Sequence, residues 1–196
     1  TRYYDQAQQQ IKTITSSALG VMVPNIFLPD SEIQFHLNWR NTLAIELALY
    51  KVDLTQDVRF SEKDSSEASW IQSIALIESA LVKAWSKGIE NKGDYKPGEE
   101  TIRLGAKLPV GAYVLEAKSK GTKMRDLVLV TDAALVLKTS GKQALVYFGS
   151  ALNGAPLSGA RVQLWQGSYI QQKWIWQENV KSTNQDGLVV FDLPDK

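Results

Sequence analysis

The amino-acid sequence predicts an all-β protein in which a β-sandwich with one inserted helix is followed by a second, shorter β-sandwich. Three observations lead to this prediction. Apolar and polar residues alternate over many short stretches, with glycine, proline, asparagine and aspartate in the gaps between them. One internal segment instead repeats its large apolar residues at three- and four-residue spacing. After Asp132 the alternating pattern begins again.

The composition of the 196-residue chain excludes several classes of function. Its 22 basic and 21 acidic residues give a net charge of +1, which provides no basic surface for nucleic acid. The absence of cysteine excludes disulfides, thiolate metal sites and thioesters from this chain. The single histidine, His36, excludes multi-histidine zinc sites and is interpreted as structural. No apolar run reaches the ~20 residues of a membrane span, so we expect no span in this chain. We also expect no metal and no cofactor. A secretion leader is expected only outside this chain.

The first predicted domain covers residues 19–132, after a polar linker or lead-in over residues 1–18. Six alternating stretches follow one another in this region, which is the pattern of half-buried strands in a sandwich. Turn residues such as Arg40-Asn41 and Leu108-Pro109-Val110-Gly111 separate them. The predicted strands are 19–27, 33–39, 43–54, 100–104, 112–117 and 127–130.

A helix is predicted within the first domain, over about residues 65–87. Its apolar residues recur as one face of an α-helix requires, and we expect this face to cover the sandwich. The functional alternative is a face that binds a partner. The residues that define the face are Trp70, Ile74, Ile77, Leu81 and Trp85.

The second predicted domain covers residues 133–196. Its length is short for a seven-stranded sandwich of ~100 residues, so we expect it to lack its last strand or strands. A sandwich without its final strand exposes an edge, and association or disorder of this region is therefore expected. The predicted strands are 134–138, 144–149, 160–165, 174–176 and 187–191.

Several residues are predicted to form structural turns. Gly154-x-Pro156-x-x-Gly159 combines residues that permit positive φ with one that fixes φ near −65°. Asp186-Gly187 is typical of a turn with local side-chain to backbone bonds. Arg40 and Asn41 are expected to close a strand turn, with Arg40 pairing a nearby carboxylate. A Ca²⁺ site made of Asn184, Asp186 and Asp192 is an alternative, although this loop lacks regular Ca²⁺-ligand spacing.

A cluster of aromatic residues in the second domain is the candidate binding site. Trp165, Tyr169, Trp174 and Trp176 lie within twelve residues of one another, among several glutamines. Aromatic rings beside amides are suited to stacking on a sugar or a peptide. The alternative is that the rings fill the sandwich core or an interface between the two domains.

The sequence does not indicate an enzyme. Glu99 and Glu100 are neighbours where a turn leads into a predicted strand, and adjacent strand residues point to opposite faces, so the two cannot flank one scissile bond. A glycine-rich phosphate loop is also absent from the sequence.

Several stretches, in the same order along the chain, resemble the macroglobulin-type domains of bacterial α2-macroglobulin-like proteins. In the first domain these include an arginine-asparagine turn, and in the second a G-x-P turn followed by a T-N-x-x-G turn. The matching stretches are Phe27-Leu28-Pro29, Trp39-Arg40-Asn41, residues 49–53, residues 108–117, residues 153–162 and Thr183-Asn184-Gln185-Asp186-Gly187.

This resemblance implies a macroglobulin/fibronectin-III-like fold and a structural role. It implies that the chain is a scaffold fragment of a broad-spectrum protease inhibitor that defends the cell envelope, exported to the periplasm, the cell surface or the medium. The implied partners are the remaining domains of the parent chain and, through the full-length protein, proteases. The thioester and bait segment of protease-trapping members have no counterpart in this sequence. The alternative from a different class is an extracellular module that binds carbohydrate or peptide through Trp165, Trp174 and Trp176.

Overall fold

The computed structural model describes residues 2–24, 26–61, 69–90 and 95–193. The chain forms two compact units. Unit 1 comprises the residues up to Asp57 together with Ile71–Val130. Unit 2 comprises Val58–Trp70 and the residues from Thr131 onward. A short segment from the middle of the chain thus belongs to the C-terminal unit.

Residues Arg2–Thr15, in the region predicted as a linker or lead-in, form helix α1. Its apolar residues Tyr4, Ile11 and Ile14 are exposed. Within the described residues, no helix combines the length and the apolar character needed to cross a membrane. The helix ends where Lys12 O accepts a hydrogen bond from the main-chain N–H of Ser16.

Unit 1 is a sandwich of two antiparallel sheets. One sheet has the order β1-β2-β5 and the other has the order β4-β3-β6-β7. Alternate residues of these strands point between the sheets and form the larger core, which includes Phe35, Leu37, Leu49 and Leu115. The strands are β1 (Ala18–Met22), β2 (Gln34–Arg40), β3 (Ala44–Val52), β4 (Leu81–Gly88), β5 (Gly98–Arg103), β6 (Gly111–Ser119) and β7 (Thr122–Val130).

The helix predicted over residues 65–87 is wrong for its C-terminal part. The segment contains only the short helix α3 (Ser69–Ser73) and a 3₁₀ turn (Glu78–Ala80), and a four-residue helix α2 (Leu54–Asp57) precedes it. Residues from Leu81 onward form strand β4 and pair with β3. Residues 65–68 of the prediction lie outside the described residues.

The composition of β4 explains this error. The half-buried residues of β4 alternate as in any strand, but two of the three are Lys83 and Lys87. Lys83 Nζ donates to Leu104 O at 2.7 Å, and Lys87 Nζ lies 2.7 Å from Glu100 of β5. Trp85, between them, packs edge-on against Phe35. Because lysine stems cover apolar surface while their ends remain polar, the strand period is hidden in the hydropathy pattern.

A buried ion pair fixes the end of α3 and the segment that follows it. Arg125 Nε donates to Glu116 Oε2 at 2.7 Å, and both side chains are buried. Arg125 Nη1 donates to the main-chain oxygens of Gln72 and Ile74 at 3.0 and 2.8 Å. Burial alone raises the pKa of Glu116, but hydrogen bonds and positive charge from Lys118 and Arg125 lower that pKa below its ordinary value. The pair is therefore ionised at neutral pH and holds the loop by its main chain.

Unit 2 repeats part of this arrangement. Its sheets have the orders β12-β9-β8 and β10-β11, all antiparallel. The order and pairing match those of β5-β2-β1 and β3-β4 in unit 1. The smaller core contains Ala144, Val146, Val162, Val189 and Phe191. The strands are β8 (Ala133–Thr139), β9 (Gln143–Ser150), β10 (Arg161–Ile170), β11 (Lys173–Ser182) and β12 (Leu188–Asp192).

Candidate aromatic binding face

The candidate site lies on one face of the hairpin formed by β10 and β11. Directly opposed residues of an antiparallel pair share a face of the sheet. Val162 and Leu164 pack in the core of unit 2, so the alternate residues lie on the outward face. The opposed pairs on that face are Trp165 with Glu178, Gly167 with Trp176, and Tyr169 with Trp174.

Five aromatic rings form a continuous row on this face, which we call the aromatic row. The ring centroids of Tyr169 and Trp174 are 5.4 Å apart, and those of Trp174 and Trp176 are 5.8 Å apart and nearly parallel. Phe60 stacks on Trp176 at 4.3 Å and contacts Trp165 at 5.3 Å. Three of these separations lie within the range of favourable aromatic pairs, and the Phe60–Trp176 stack is slightly closer. The structure therefore brings together all four sequence-predicted residues, and adds Phe60.

Gly167 makes room for the row. A Cβ atom at this position would lie 2.9 Å from the Trp176 ring and 3.2 Å from the Trp174 ring. The missing side chain lets both indoles lie across β10. The indole Nε1 of Trp176 donates to the main-chain oxygen of Ser61 at 3.2 Å, which fixes the ring in the plane of the stack.

The row is partly open to solvent. Tyr169 is 62% exposed, while the three tryptophans are half-buried. Gln166 and Gln177, which are among the glutamines near the rings in the sequence, are opposed to each other on the other face of the hairpin. Gln171 and Gln172, at the hairpin tip, both have positive φ, as a two-residue type I′ turn requires.

The chemistry of this face is suited to stacking. Among the polar groups on the face are Gln163 and Glu178, whose Nε2 and Oε1 lie 2.5 Å apart in a hydrogen bond. Flat rings with polar groups beside them offer contact area to a sugar ring or an extended peptide. The rings do not fill the core of unit 2, because Val162 and Leu164 occupy the core side of the hairpin.

Phe60 and Gly167 are the members of this site that the sequence analysis missed. Phe60 lies far along the chain from the hairpin, in a stretch without strand or helix periodicity, and only the fold brings it to the rings. Gly167 could have been found from the sequence, because a glycine inside a strand often marks the close approach of a neighbouring group.

The predicted turn residues Arg40 and Asn41 hold helix α1. Arg40 Nη2 donates to Thr13 O at 2.6 Å, so its partner is a main-chain oxygen and not the predicted carboxylate. Asn41, with φ of +56°, donates from Nδ2 to the oxygens of Ile14 and Ser16. The C-terminal carbonyls of a helix lack intrahelical partners, and these two side chains satisfy them.

The two turn motifs of unit 2 interlock. Gly154 and Gly159 have φ of +73° and +72°, and Gly187 has φ of +71°. A Cβ on Gly187 would lie 2.5 Å from Phe148 O and 3.0 Å from Pro156 Cβ. Buried Thr183 joins the loops, because its Oγ1 donates to the oxygen of Leu157 and accepts from the N–H of Ala160. The two sequence motifs therefore form one joint, by which we mean the contact of these two loops through Thr183 and Gly187.

The residues proposed as a Ca²⁺ alternative have other roles. Asn184 Oδ1 accepts hydrogen bonds from the N–H groups of Asp186 and Leu188. Asp192 Oδ1 accepts from Gln143 Nε2. No group of three or more histidine, cysteine, aspartate or glutamate residues in the described ranges could hold a metal. His36 Nδ1 forms a hydrogen bond with Thr101 of the neighbouring strand, at 2.9 Å.

A cleft of about 850 Å³ opens in unit 1. Trp39, Tyr95 and Pro97 line it, together with the ion pair between Lys87 and Glu100. That pair joins the edge strands of the two sheets, so we interpret the cleft as the open end of the sandwich.

No family model matches the chain, and no curated protein matches it in sequence. Solved structures do match it. One is the crystal structure of native α2-macroglobulin from Escherichia coli spanning domains MG0-NIE-MG1, with a TM-score of 0.55 and 14% identity over 89% of this chain. Another spans domains NIE-MG1 of that protein, with a TM-score of 0.50 and 11% identity.

These matches concern the fold. This chain spans 57% of the length of the first structure, and 88% of the second over 90% of its own residues. The resemblance inferred from the motifs, and the all-β sandwich class, are thereby confirmed. The chain has the fold of domains found in a bacterial α2-macroglobulin.

Proposed function

We propose that this chain is part of a bacterial α2-macroglobulin-like protein and serves it as a non-enzymatic β-sandwich scaffold. The parent is a broad-spectrum protease inhibitor of the cell envelope, in the periplasm or at the cell surface. The observation that carries the proposal is that single structures of Escherichia coli α2-macroglobulin match 89% and 90% of the chain, across both units.

The side chains support a mechanical role. The buried ion pair of Glu116 and Arg125 is used to hold a loop, and Arg40 and Asn41 are used to hold a helix end. Side chains used in this way make a rigid, closely packed unit, which suits a scaffold. Because the chain has no cysteine, any thioester chemistry of the parent would belong to its other parts.

A protease assay tests the scaffold role. We expect equimolar chain to leave trypsin, elastase and chymotrypsin at full activity on both a small chromogenic peptide and casein. The full-length parent should block casein cleavage while sparing the small peptide, as a cage that excludes large substrates does. Stoichiometric inhibition by the isolated chain would overturn the proposal, as would a full-length parent that spares casein.

A second function is favoured by the aromatic row: binding of a carbohydrate or an extended peptide. Tyr169 is largely exposed, and the row lies on the face of the hairpin away from the core. Contiguous exposed apolar surface is uncommon in soluble proteins without a use. The ligand would stack on Trp174 and Tyr169, at the open end of the row.

Tryptophan fluorescence decides between the two functions. If the row binds a ligand, one class in a panel of soluble oligosaccharides and unstructured peptides shifts the emission. Trp174→Phe then weakens binding roughly two- to tenfold, the effect of losing ~0.5–1.5 kcal/mol of ring contact. Trp85→Phe, in unit 1, is the matched control and leaves the response intact. A panel without any response would remove the binding function and leave the scaffold proposal standing.

A further inference from the structure

One segment of this protein already lies on the aromatic row, at the end away from the hairpin tip. Residues 58–61 form neither helix nor strand. The ring of Phe60 stacks on Trp176 at 4.3 Å, with 21° between the ring planes, and tilts against Trp165 at 5.3 Å. The main-chain oxygen of the next residue, Ser61, accepts a hydrogen bond from Trp176 Nε1 at 3.2 Å. One tryptophan therefore holds both an aromatic side chain and the carbonyl of the residue after it.

Trp174 offers the same two groups at the open end of the row, next to the hairpin tip. Its ring lies nearly parallel to that of Trp176, at 5.8 Å. Within the described residues, no group accepts a hydrogen bond from Trp174 Nε1. Tyr169, directly opposite on β10, is 62% exposed. Because a covered indole N–H loses its hydrogen bond to water, a ligand that covers Trp174 should also supply an acceptor.

The polar groups of this face favour a peptide over a sugar. A sugar ring carries several hydroxyl groups, and its specific recognition needs polar side chains placed for them. Gln163 and Glu178 lie at the other end of the row, where they bond to each other at 2.5 Å. At the open end the row offers the Tyr169 hydroxyl and the Trp174 indole N–H. A ring with one N–H donor beside it matches an aromatic side chain followed by a main-chain carbonyl.

We infer that the open end of the aromatic row binds an extended peptide through one aromatic residue. The aromatic side chain of the peptide packs on Trp174 and Tyr169. The main-chain oxygen of the following residue accepts a hydrogen bond from Trp174 Nε1, which repeats the contact of Phe60 and Ser61 with Trp176. This inference rests on the second function proposed above, because it names the class of ligand for the same face.

The probe is a capped peptide with the sequence of residues 57–61, which contains Phe60 and Ser61. Its control has leucine in place of the phenylalanine, which keeps an apolar side chain and removes the ring. The readout is the ¹H–¹⁵N spectrum of the six tryptophan indole groups, in which Trp174→Phe identifies the signal of Trp174. We expect the peptide to shift this signal downfield, as a new hydrogen bond does. The leucine peptide should bind roughly two- to tenfold more weakly, the effect of one lost ring contact.

Two substitutions in the hairpin locate the binding site. Trp174→Phe keeps a ring but removes the N–H, and it should weaken peptide binding roughly two- to tenfold, the effect of one hydrogen bond. Trp165→Phe is the matched control, because Trp165 lies on the same face at the other end of the row and should leave the affinity unchanged. If Trp174→Phe does not fold, the two peptides compared on the wild type still test the ring contact.

Other results would overturn the inference. Equal binding of the two peptides would show that no ring contact is made. A shift of the Trp176 signal without one at Trp174 would show that the peptide displaces Phe60. A response to a soluble oligosaccharide but not to the peptides would overturn the inference and leave the second function standing. No response to either ligand class would remove both, and the scaffold proposal depends on neither result.

Discussion

Unit 1 and unit 2 share the order and pairing of their first five strands, but they differ in how completely the core is enclosed. In unit 1 a four-stranded sheet packs on the three-stranded one, and Leu37 and Ile45 are completely buried. In the part of unit 2 that the structure describes, a two-stranded sheet faces a three-stranded one. The difference shows that topology alone does not bury a strand. Burial also needs enough strands in the opposing sheet.

The largest effect is expected when a leucine is replaced by alanine in each unit, which compares how completely the two cores are enclosed. Leu37→Ala should cost unit 1 about 2–5 kcal/mol, as large-to-small changes in a closed core do. Leu137→Ala should cost unit 2 less than about 0.5 kcal/mol, because that leucine is already half exposed. Urea unfolding followed by hydrogen exchange resolves the two units. Equal losses would mean that β8 is covered in solution.

A smaller effect is expected at the interlocked turns of unit 2. Gly187→Ala should destabilise unit 2 by roughly 2–3 kcal/mol, because it combines positive φ with a clash against Phe148 O. Gly141→Ala is the control, since a Cβ there meets nothing within 4 Å. Unit 1 should keep its stability in both variants. A neutral Gly187→Ala would mean that the two loops are not in contact.

The smallest expected effect is the pH dependence of unit 1. Because the pKa of Glu116 is lower in the folded than in the unfolded state, its ion pair stabilises unit 1 at neutral pH. This contribution is present above the unfolded pKa and is lost as pH falls through the lowered folded pKa. Thermal melts across the acid range should show a steeper loss for the wild type than for Glu116→Gln. Glu99→Gln controls for the change in net charge, and identical profiles for wild type and Glu116→Gln would contradict the prediction.

Most strands could be predicted from the sequence because their inward positions are apolar. Each of the eleven predicted strands overlaps an observed strand. Strand β4 could not be predicted, because Lys83 and Lys87 occupy inward positions and their ends bond outside the core. The apolar residues around it fell at helical spacing, although only Ser69–Ser73 is α-helical in the part of that segment described.

The part of the candidate site that could be predicted is the part formed by residues close together in the sequence. Trp174 and Trp176 share a face because they are two residues apart in a strand, and this spacing can be read from the sequence. The side of the hairpin that faces the core could not be predicted, because both faces carry large residues. Phe60 reaches the row through the fold, and pattern analysis of one segment does not detect such a contact.

The joint between the turns of unit 2 has a consequence for synthesis. The loop containing Pro156 is locked by Thr183 and Gly187, which leave the ribosome later. A chain made from its N-terminus can pair β8 with β9 early, but it cannot set the connection to β10 until this later loop emerges. A nascent chain arrested before Gly187 would therefore carry a mobile β9–β10 connection. Translation speed through this region should influence the yield of folded protein.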